Sequence, residues 1–169
     1  MRIRASLAVL ALWAPGALAD LPVRSLLEVR QHRIVMQQWD NSCGAAALAT
    51  VLTYHKGFPV TERQVAQGLL GETDPNRVRH RGGFSLLDMK RYAASIGFRS
   101  DAYARMTLED LSAKLPAIVP VRARGYDHFV VVQRIENFNV HIADPGFGHY
   151  TLSASRFAAA WPGIGFVLP

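Results

Sequence analysis

The fold is decided by residues 37–57, which read QQWDNSCGAAALATVLTYHKG. Five of the first six residues are polar and predict a loop, and from Cys43 onward the alanines and leucines predict a helix that ends at Gly57. Its polar and apolar residues are poorly separated, which is typical of a central, buried helix. Cys43 therefore lies where a polar loop meets the start of a buried helix.

The N-terminus has the pattern of a secretory signal peptide. Arg2 and Arg4 precede an apolar run from Leu7 to Trp13, and small residues follow at Ala17-Leu18-Ala19. This predicts a signal peptide at residues 1–19, a mature domain at 20–169 and a periplasmic or secreted location. The apolar run is short and no later stretch reaches about 20 apolar residues, so no stable membrane span is expected in the mature form.

Composition narrows the class of protein and its expected partners. The chain has 169 residues, of which 50% are hydrophobic and 19% charged, as in an ordinary single globular domain. The formal charge of +6 includes a local cluster at Arg77, Arg79 and Arg81, within a predicted polar loop, for which a solvated surface and an acidic ligand are the two interpretations. No aromatic residues interleave with this cluster, so nucleic acid is not an expected partner.

The chain contains a single cysteine, Cys43. It cannot form an internal disulfide, and a lone thiol is either a small buried apolar group or a reactive one. At a helix N-terminus the unpaired N–H groups and the helix dipole favour a negative charge on its sulfur. Gly44 leaves room for a substrate carbonyl, and the side-chain amide of Gln37 is a candidate hydrogen-bond donor to an oxyanion.

Helices are predicted first along the chain and strands later. Residues 20–36 are predicted to be extended, and Ser/Thr caps with a polar partner three residues on predict helices after Thr61, Ser85 and Thr107. After Pro116, β-branched and aromatic residues predict strands at 117–121, 129–135, 140–143, 150–152 and 163–168, with a short helix after Ser153. This order predicts an α+β fold, with N-terminal helices packed on a C-terminal antiparallel sheet.

A nucleophilic cysteine needs a base, and the strand region supplies one. His128 is predicted at the first position of a strand, and Asp144 ends the next strand of the hairpin. Pairing of the two strands would bring the carboxylate beside the imidazole, where it fixes the tautomer and stabilises the protonated ring. Each residue has a structural interpretation when taken alone, because strand histidines and Asp-Pro-Gly turns are common.

Order and spacing together resemble the peptidase C39 family of bacteriocin-processing, double-glycine peptidases. The resemblance lies in Gln37, Cys43-Gly44-Ala45-Ala46, the segments 128–132 (HFVVV) and 142–145 (IADP), and Gly83-Phe84-Ser85, and it spans residues 35–167. It implies a papain-like fold with Cys43 as nucleophile, His128 as general base, Asp144 as its orienter and Gln37 as oxyanion-hole donor. It also implies cleavage of an extended peptide after Gly-Gly or Gly-Ala.

This chain departs from the usual members of that family. It has no transporter helices or ATPase motifs and carries a signal peptide, so its substrate is expected outside the cytoplasm, in a secretion or surface-fibre system. Ser42 also stands where many relatives have an acidic residue. Two other functions stay open: a non-catalytic substrate-binding module of an export system, and a cell-wall amidase or acyltransferase using the same Cys-His pair.

The other chemistry-bearing residues are interpreted as structural. They are His32, His55, His80, His141 and His149. No Cys/His spacing predicts a zinc site and no glycine loop predicts a nucleotide site, so no metal or cofactor is expected. Gly82-Gly83 resembles the family's cleavage motif, but turn chemistry before a helix is the favoured interpretation.

Overall fold

A computed structural model describes residues 24–123 and 125–169. The predicted signal peptide at 1–19 lies outside these residues. The helices of the described part are α1 (Leu26–Gln31), α2 (Cys43–His55), α3 (Glu62–Gly71), α4 (Pro75–Arg81), α5 (Leu86–Ser95), α6 (Leu108–Ser112) and α7 (Ala154–Ala160). The strands are β1 (Asp101–Tyr103), β2 (Ala117–Ala123), β3 (Tyr126–Glu136), β4 (Asn139–Asp144), β5 (Gly148–Ser153) and β6 (Gly165–Val167).

The strands form one six-stranded sheet in the order β1-β6-β2-β3-β4-β5. Every described pairing is antiparallel. β3 and β4 are joined by a tight turn in which Asn137 and Phe138 both have positive φ, at 50° and 61°. The β3–β4 hairpin therefore places the start of β3 next to the end of β4.

Apolar side chains cover both faces of the sheet. On one face, Leu48 and Leu52 of α2 pack with Ile118 and Val131. On the other face, Phe157 of α7 packs with neighbours that include Val119, Val130 and Val132. Full burial of each such side chain contributes about 1.5–3 kcal/mol. Apolar side chains that point alternately to the two faces of β2 and β3 thus pack against helices on both sides of the sheet. The predicted α+β class with an antiparallel sheet is confirmed.

The capping patterns in the sequence predicted most helix starts correctly. Thr61 with Gln64, Ser85 with Asp88 and Thr107 with Asp110 all form reciprocal capping boxes in the structure. The helix predicted from Cys43 is α2, and its residues from Gly44 to Leu52 are buried. Local hydrogen bonding at helix starts was therefore a reliable guide.

Three local predictions were wrong. Residues 20–36 were expected to be extended, but Ser25 and Glu28 form a capping box that starts α1. The arginine cluster was placed in a loop, yet it lies on α4, which Asp74 caps and a left-handed Gly82 ends. His128 is the third residue of β3 rather than the first, since pairing with β2 extends back to Tyr126.

The longest of the described helices, α2, has 13 residues. Within residues 24–123 and 125–169, none is both long and apolar enough to cross a membrane.

Candidate active site

Cys43 is the first residue of α2, and its side chain is partly exposed while the helix behind it is buried. The helix passes close to α5 at this point, because a Cβ built on Gly44 would lie 2.5 Å from the Cε atom of Met89. The first intrahelical bond runs from the Ala46 N–H to the Ser42 carbonyl, at 3.0 Å. The N–H groups of Cys43, Gly44 and Ala45 consequently have no acceptor within the helix.

His128 and Asp144 come together at the open end of the β3–β4 hairpin. The Nε2 atom of His128 lies 2.7 Å from Oδ1 of Asp144, and the side chains are 4% and 2% exposed. A second side-chain hydrogen bond joins His128 to Cys43. Because Nε2 faces the carboxylate, Nδ1 is the ring nitrogen left for the thiol. The structure therefore brings these three predicted residues together.

The surroundings of His128 favour its protonated form. Burial alone would lower its pKa, but the hydrogen bonds and negative charges of Asp144 and Cys43 outweigh burial and raise the pKa from 6.5 to about 9. The contacts of His128 therefore favour the protonated ring, which places a positive charge beside the Cys43 side chain.

The carboxylate of Asp144 is held by several donors besides His128. Its Oδ1 accepts the N–H groups of Gly146 at 2.8 Å and Phe147 at 3.2 Å, and its Oδ2 accepts the Tyr150 hydroxyl at 3.2 Å. Sequence reasoning missed the part played by Phe147 and Tyr150. The Asp-Pro-Gly turn was a visible signal for the backbone donors, whereas the tyrosine follows only from the pairing of β4 with β5.

Gln37 reaches the same turn. Its backbone N–H donates to the Pro145 carbonyl at 2.9 Å. A Cβ built on Gly146 would lie 3.8 Å from Oε1 of Gln37 and 3.8 Å from Cε1 of His128. The Oε1 atom is buried and has no hydrogen-bond partner among the described residues. Because an amide oxygen only accepts hydrogen bonds, the donor that Gln37 could offer to an oxyanion is the Nε2 group of the same side chain.

A cleft of about 280 Å³ opens beside Cys43. One wall is the segment from Arg81 to Leu86, and the other includes Pro120, Phe129 and Ile164. The glycines of the first wall come close to the loop before α2, since a Cβ on Gly83 would lie 3.1 Å from the Asn41 carbonyl oxygen. The cleft is mainly apolar and has Cys43 at its edge.

A sequence model of the peptidase C39 family matches residues 31–168. The chain belongs to the peptidase C39 family. It is accordingly a cysteine peptidase. The chain is 44% identical over 153 residues to the "Probable functional amyloid protease FapD" of Pseudomonas aeruginosa, a match that covers 90% of this chain and 67% of that protein. It is 28% identical over 135 residues to the lactococcin-G-processing and transport protein LagD of Lactococcus lactis, covering 78% of this chain and 18% of that protein.

Solved structures of C39 peptidase domains have the same fold. A double glycine motif protease from an AMS/PCAT transporter, in complex with the leader peptide, superposes with a TM-score of 0.65 at 27% identity over 79% of this chain and 88% of that one. The peptidase domain of Streptococcus ComA gives a TM-score of 0.64 at 28% identity over 81% and 98% of the two chains. The predicted papain-like fold is thereby confirmed.

One further residue of this C39 peptidase contacts the loop that leads to Cys43. Glu62, the first residue of α3, is only 3% exposed. Its two carboxylate oxygens accept the Gln38 N–H, at 3.0 Å each, and Oε1 also lies within hydrogen-bond distance of the Ser42 hydroxyl. Sequence reasoning missed this residue because Thr61 and Gln64 already explain the local pattern as a capping box.

The remaining histidines lie away from the cleft. A larger cavity of about 510 Å³ is lined by His32, His55, His141 and His149, with Arg33 and Arg134. No cysteine lines it, and Cys43 lines the smaller cleft instead. His80 lies on α4 with its Nδ1 atom 2.9 Å from the Asn76 carbonyl oxygen.

Proposed function

We propose that Cys43, His128 and Asp144 form a catalytic triad, with Gln37 as oxyanion donor, in an exported peptidase that cleaves peptides or leaders after small residues of the Gly-Gly type. The observation that carries the proposal is the position of His128. It is buried, hydrogen-bonded to Asp144 at 2.7 Å through one nitrogen, and hydrogen-bonded to Cys43. Burial of an imidazole between a carboxylate and a thiol is costly unless the three groups work together.

The reaction follows from this geometry. The Cys43 thiolate attacks the scissile carbonyl carbon, and the oxyanion that forms accepts hydrogen bonds from the Gln37 amide and the N–H groups at the start of α2. The imidazolium of His128 gives its proton to the leaving amine as the C–N bond breaks, which leaves a thioester on Cys43. Water then attacks the thioester while His128 takes its proton, and the acid leaves as the thiolate is restored. Asp144 keeps the ring in one orientation throughout.

The substrate is an extended peptide in the cleft beside Cys43. Its apolar walls and the close approach of Gly83 to Asn41 suit a chain with little side-chain bulk next to the scissile bond. Likeness to a double glycine motif protease in complex with its leader peptide supports the same preference here. Likeness to relatives named functional amyloid proteases supports an exported substrate of a surface-fibre system.

The location follows from the N-terminal sequence. Residues 1–19 act as a signal peptide, so the domain at 20–169 works in the periplasm or outside the cell. The peptidase then meets its substrate after export.

A peptide panel tests the proposal. The mature protein is incubated with peptides that contain Gly-Gly, Gly-Ala or a bulky residue at the matching positions, and the products are identified by mass spectrometry. Cleavage after the small pair, abolished in Cys43→Ala, is the expected result. Equal cleavage by Cys43→Ala, or binding of the peptides without any cleavage by the unchanged protein, contradicts the proposal; the second result favours a non-catalytic binding module.

A further inference from the structure

Glu62 is a buried carboxylate outside the triad. It lies at the start of α3, where the helix dipole favours a negative charge. Among the described residues no cation lies within ion-pair distance of it, and Arg63 instead lies over the Trp39 ring, 4.9 Å from its centroid. Burial of a carboxylate with no cationic partner is costly, which indicates that its hydrogen bonds serve a purpose.

Those hydrogen bonds hold both ends of one loop. Gln38, whose N–H donates to Glu62, follows Gln37 directly, and Ser42, whose hydroxyl meets Glu62, directly precedes Cys43. One carboxylate therefore fixes the distance between the backbone beside the oxyanion donor and the backbone beside the nucleophile. Catalysis depends on that distance, because a displacement of about 1 Å can cost about 10²-fold in rate.

The start of α2 differs from the starts of the other described helices, because Ser42 has a ψ of 6° and is not extended. Serine is a favoured N-cap, and each of the other six described helices has a side-chain cap from Ser, Thr or Asp. The Ser42 side chain makes no such bond to α2. Its hydroxyl instead lies against Glu62 and the Trp39 carbonyl oxygen, 2.6 Å away. The N–H groups at the start of α2 consequently remain open next to Cys43.

We propose that Glu62 is a positioning residue for the reaction: it ties Gln38 to Ser42 and so sets the distance between the oxyanion donor Gln37 and the nucleophile Cys43. This proposal rests on the proposed function, because it assigns Glu62 to the same site. Without Glu62, the two ends of the loop lose the hydrogen-bond partner that they share.

Four variants separate these effects. In Glu62→Ala the loop loses its tie and Ser42 is released, so we expect kcat to fall about 10- to 100-fold with little change in KM. In Glu62→Gln the amide oxygen still accepts the Gln38 N–H and the amide nitrogen donates to Ser42, so most activity is retained. Ser42→Ala removes one end of the tie and leaves the bond from Gln38 to Glu62 in place, so kcat should fall by less than in Glu62→Ala. Gln64→Ala is the matched control, because it removes the α3 capping box and leaves the loop contacts in place.

A second measurement does not depend on turnover. Hydrogen exchange of the Gln38 backbone N–H reports its bond to Glu62 directly, and we expect it to accelerate in Glu62→Ala but not in Gln64→Ala. Unchanged exchange and kcat in Glu62→Ala, or an equal loss of kcat in Gln64→Ala, overturns the proposal. If the unchanged protein cleaves none of the peptides, the proposed function fails, while the exchange measurement still decides whether Glu62 holds the loop.

Discussion

The β3–β4 hairpin carries a histidine–carboxylate pair at each end, and the two pairs differ in distance, burial and hydrogen-bond partners. At the open end, His128 and Asp144 are 2.7 Å apart and nearly fully buried. At the turn end, His141 and Glu136 are 3.4 Å apart, with side chains 29% and 46% exposed. Water therefore weakens the electrostatic attraction within the second pair, and it weakens the attraction within the buried first pair very little.

The partners of the two carboxylates differ as well. Asp144 accepts two backbone N–H groups and a tyrosine hydroxyl in addition to His128, so its orientation is fixed. Glu136 instead shares its Oε1 atom between His141 and Arg134, which lies 3.0 Å away. The comparison shows that a histidine beside an acid becomes a candidate catalytic pair through burial and fixed donors, and that residue type alone is insufficient.

Alanine substitution of each histidine is the strongest test of this contrast. His128→Ala removes the proton donor and the positive charge beside Cys43, so kcat/KM on a cleaved Gly-Gly peptide should fall by about 10²–10⁴-fold. Alkylation of Cys43 by iodoacetamide at neutral pH should slow in the same variant. The matched change His141→Ala should leave both rates close to those of the unchanged protein. Similar losses in the two variants would remove the distinction between the two ends.

Stability as a function of pH tests burial at the open end. A histidine in the unfolded chain titrates near 6.5, and His128 in the folded protein near 9. Because the folded value is higher, protonated His128 stabilises the fold: this contribution is fully present below pH 6.5 and is lost as pH rises through about 9. We expect the difference in free energy of unfolding between the unchanged protein and His128→Gln to shrink across that range.

Denaturant titrations at several pH values measure this difference. His141→Gln provides the background slope for loss of an exposed imidazole. If the His128→Gln difference stays constant across the range, then His128 does not titrate as its contacts indicate.

The smallest effect is expected from the donor behind Asp144. Tyr150→Phe removes the hydroxyl that lies 3.2 Å from Oδ2 and leaves the other three hydrogen bonds of Asp144 in place. We expect a loss of about 3- to 10-fold in kcat/KM with KM almost unchanged. Thr151→Ala, which removes a 3.2 Å contact to His141, is the matched change on the same strand and should have no effect. A Tyr150→Phe enzyme of unchanged activity would show that the backbone donors suffice.

Much of this arrangement was predictable from sequence because its signals are local or periodic. The capping boxes at Thr61 and Ser85 depend on residues three apart, and the alternation in β3 follows from the pleat of a strand. Cys43, His128 and Asp144 followed from the chemistry that a lone thiol requires. The contact between His128 and Asp144 needed only the pairing of two consecutive strands, whereas the approach of Cys43 depends on how α2 packs against the sheet.

What sequence reasoning missed has two physical causes. The first is the shortness of some helices. α1 and α4 have clear caps at Ser25 and Asp74, but with 6 and 7 residues they are too short to be stable without tertiary packing. The second is contact between distant residues. Glu62 meets Ser42 across 20 positions and Tyr150 meets Asp144 across a strand pair, and neither contact leaves a local pattern.

The four-residue turn at 144–147 provides three of the contacts around His128 and Gln37. It carries the carboxylate of Asp144, it receives the Gln37 N–H at Pro145, and it places Phe147 with its ring centroid 6.5 Å from that of His128. An inserted or deleted residue there would displace all three groups at once. The opposite tip is different: the Phe138 side chain is 89% exposed and its carbonyl accepts the Ala154 N–H at 2.8 Å, so a label carried by that side chain would leave the backbone contact in place.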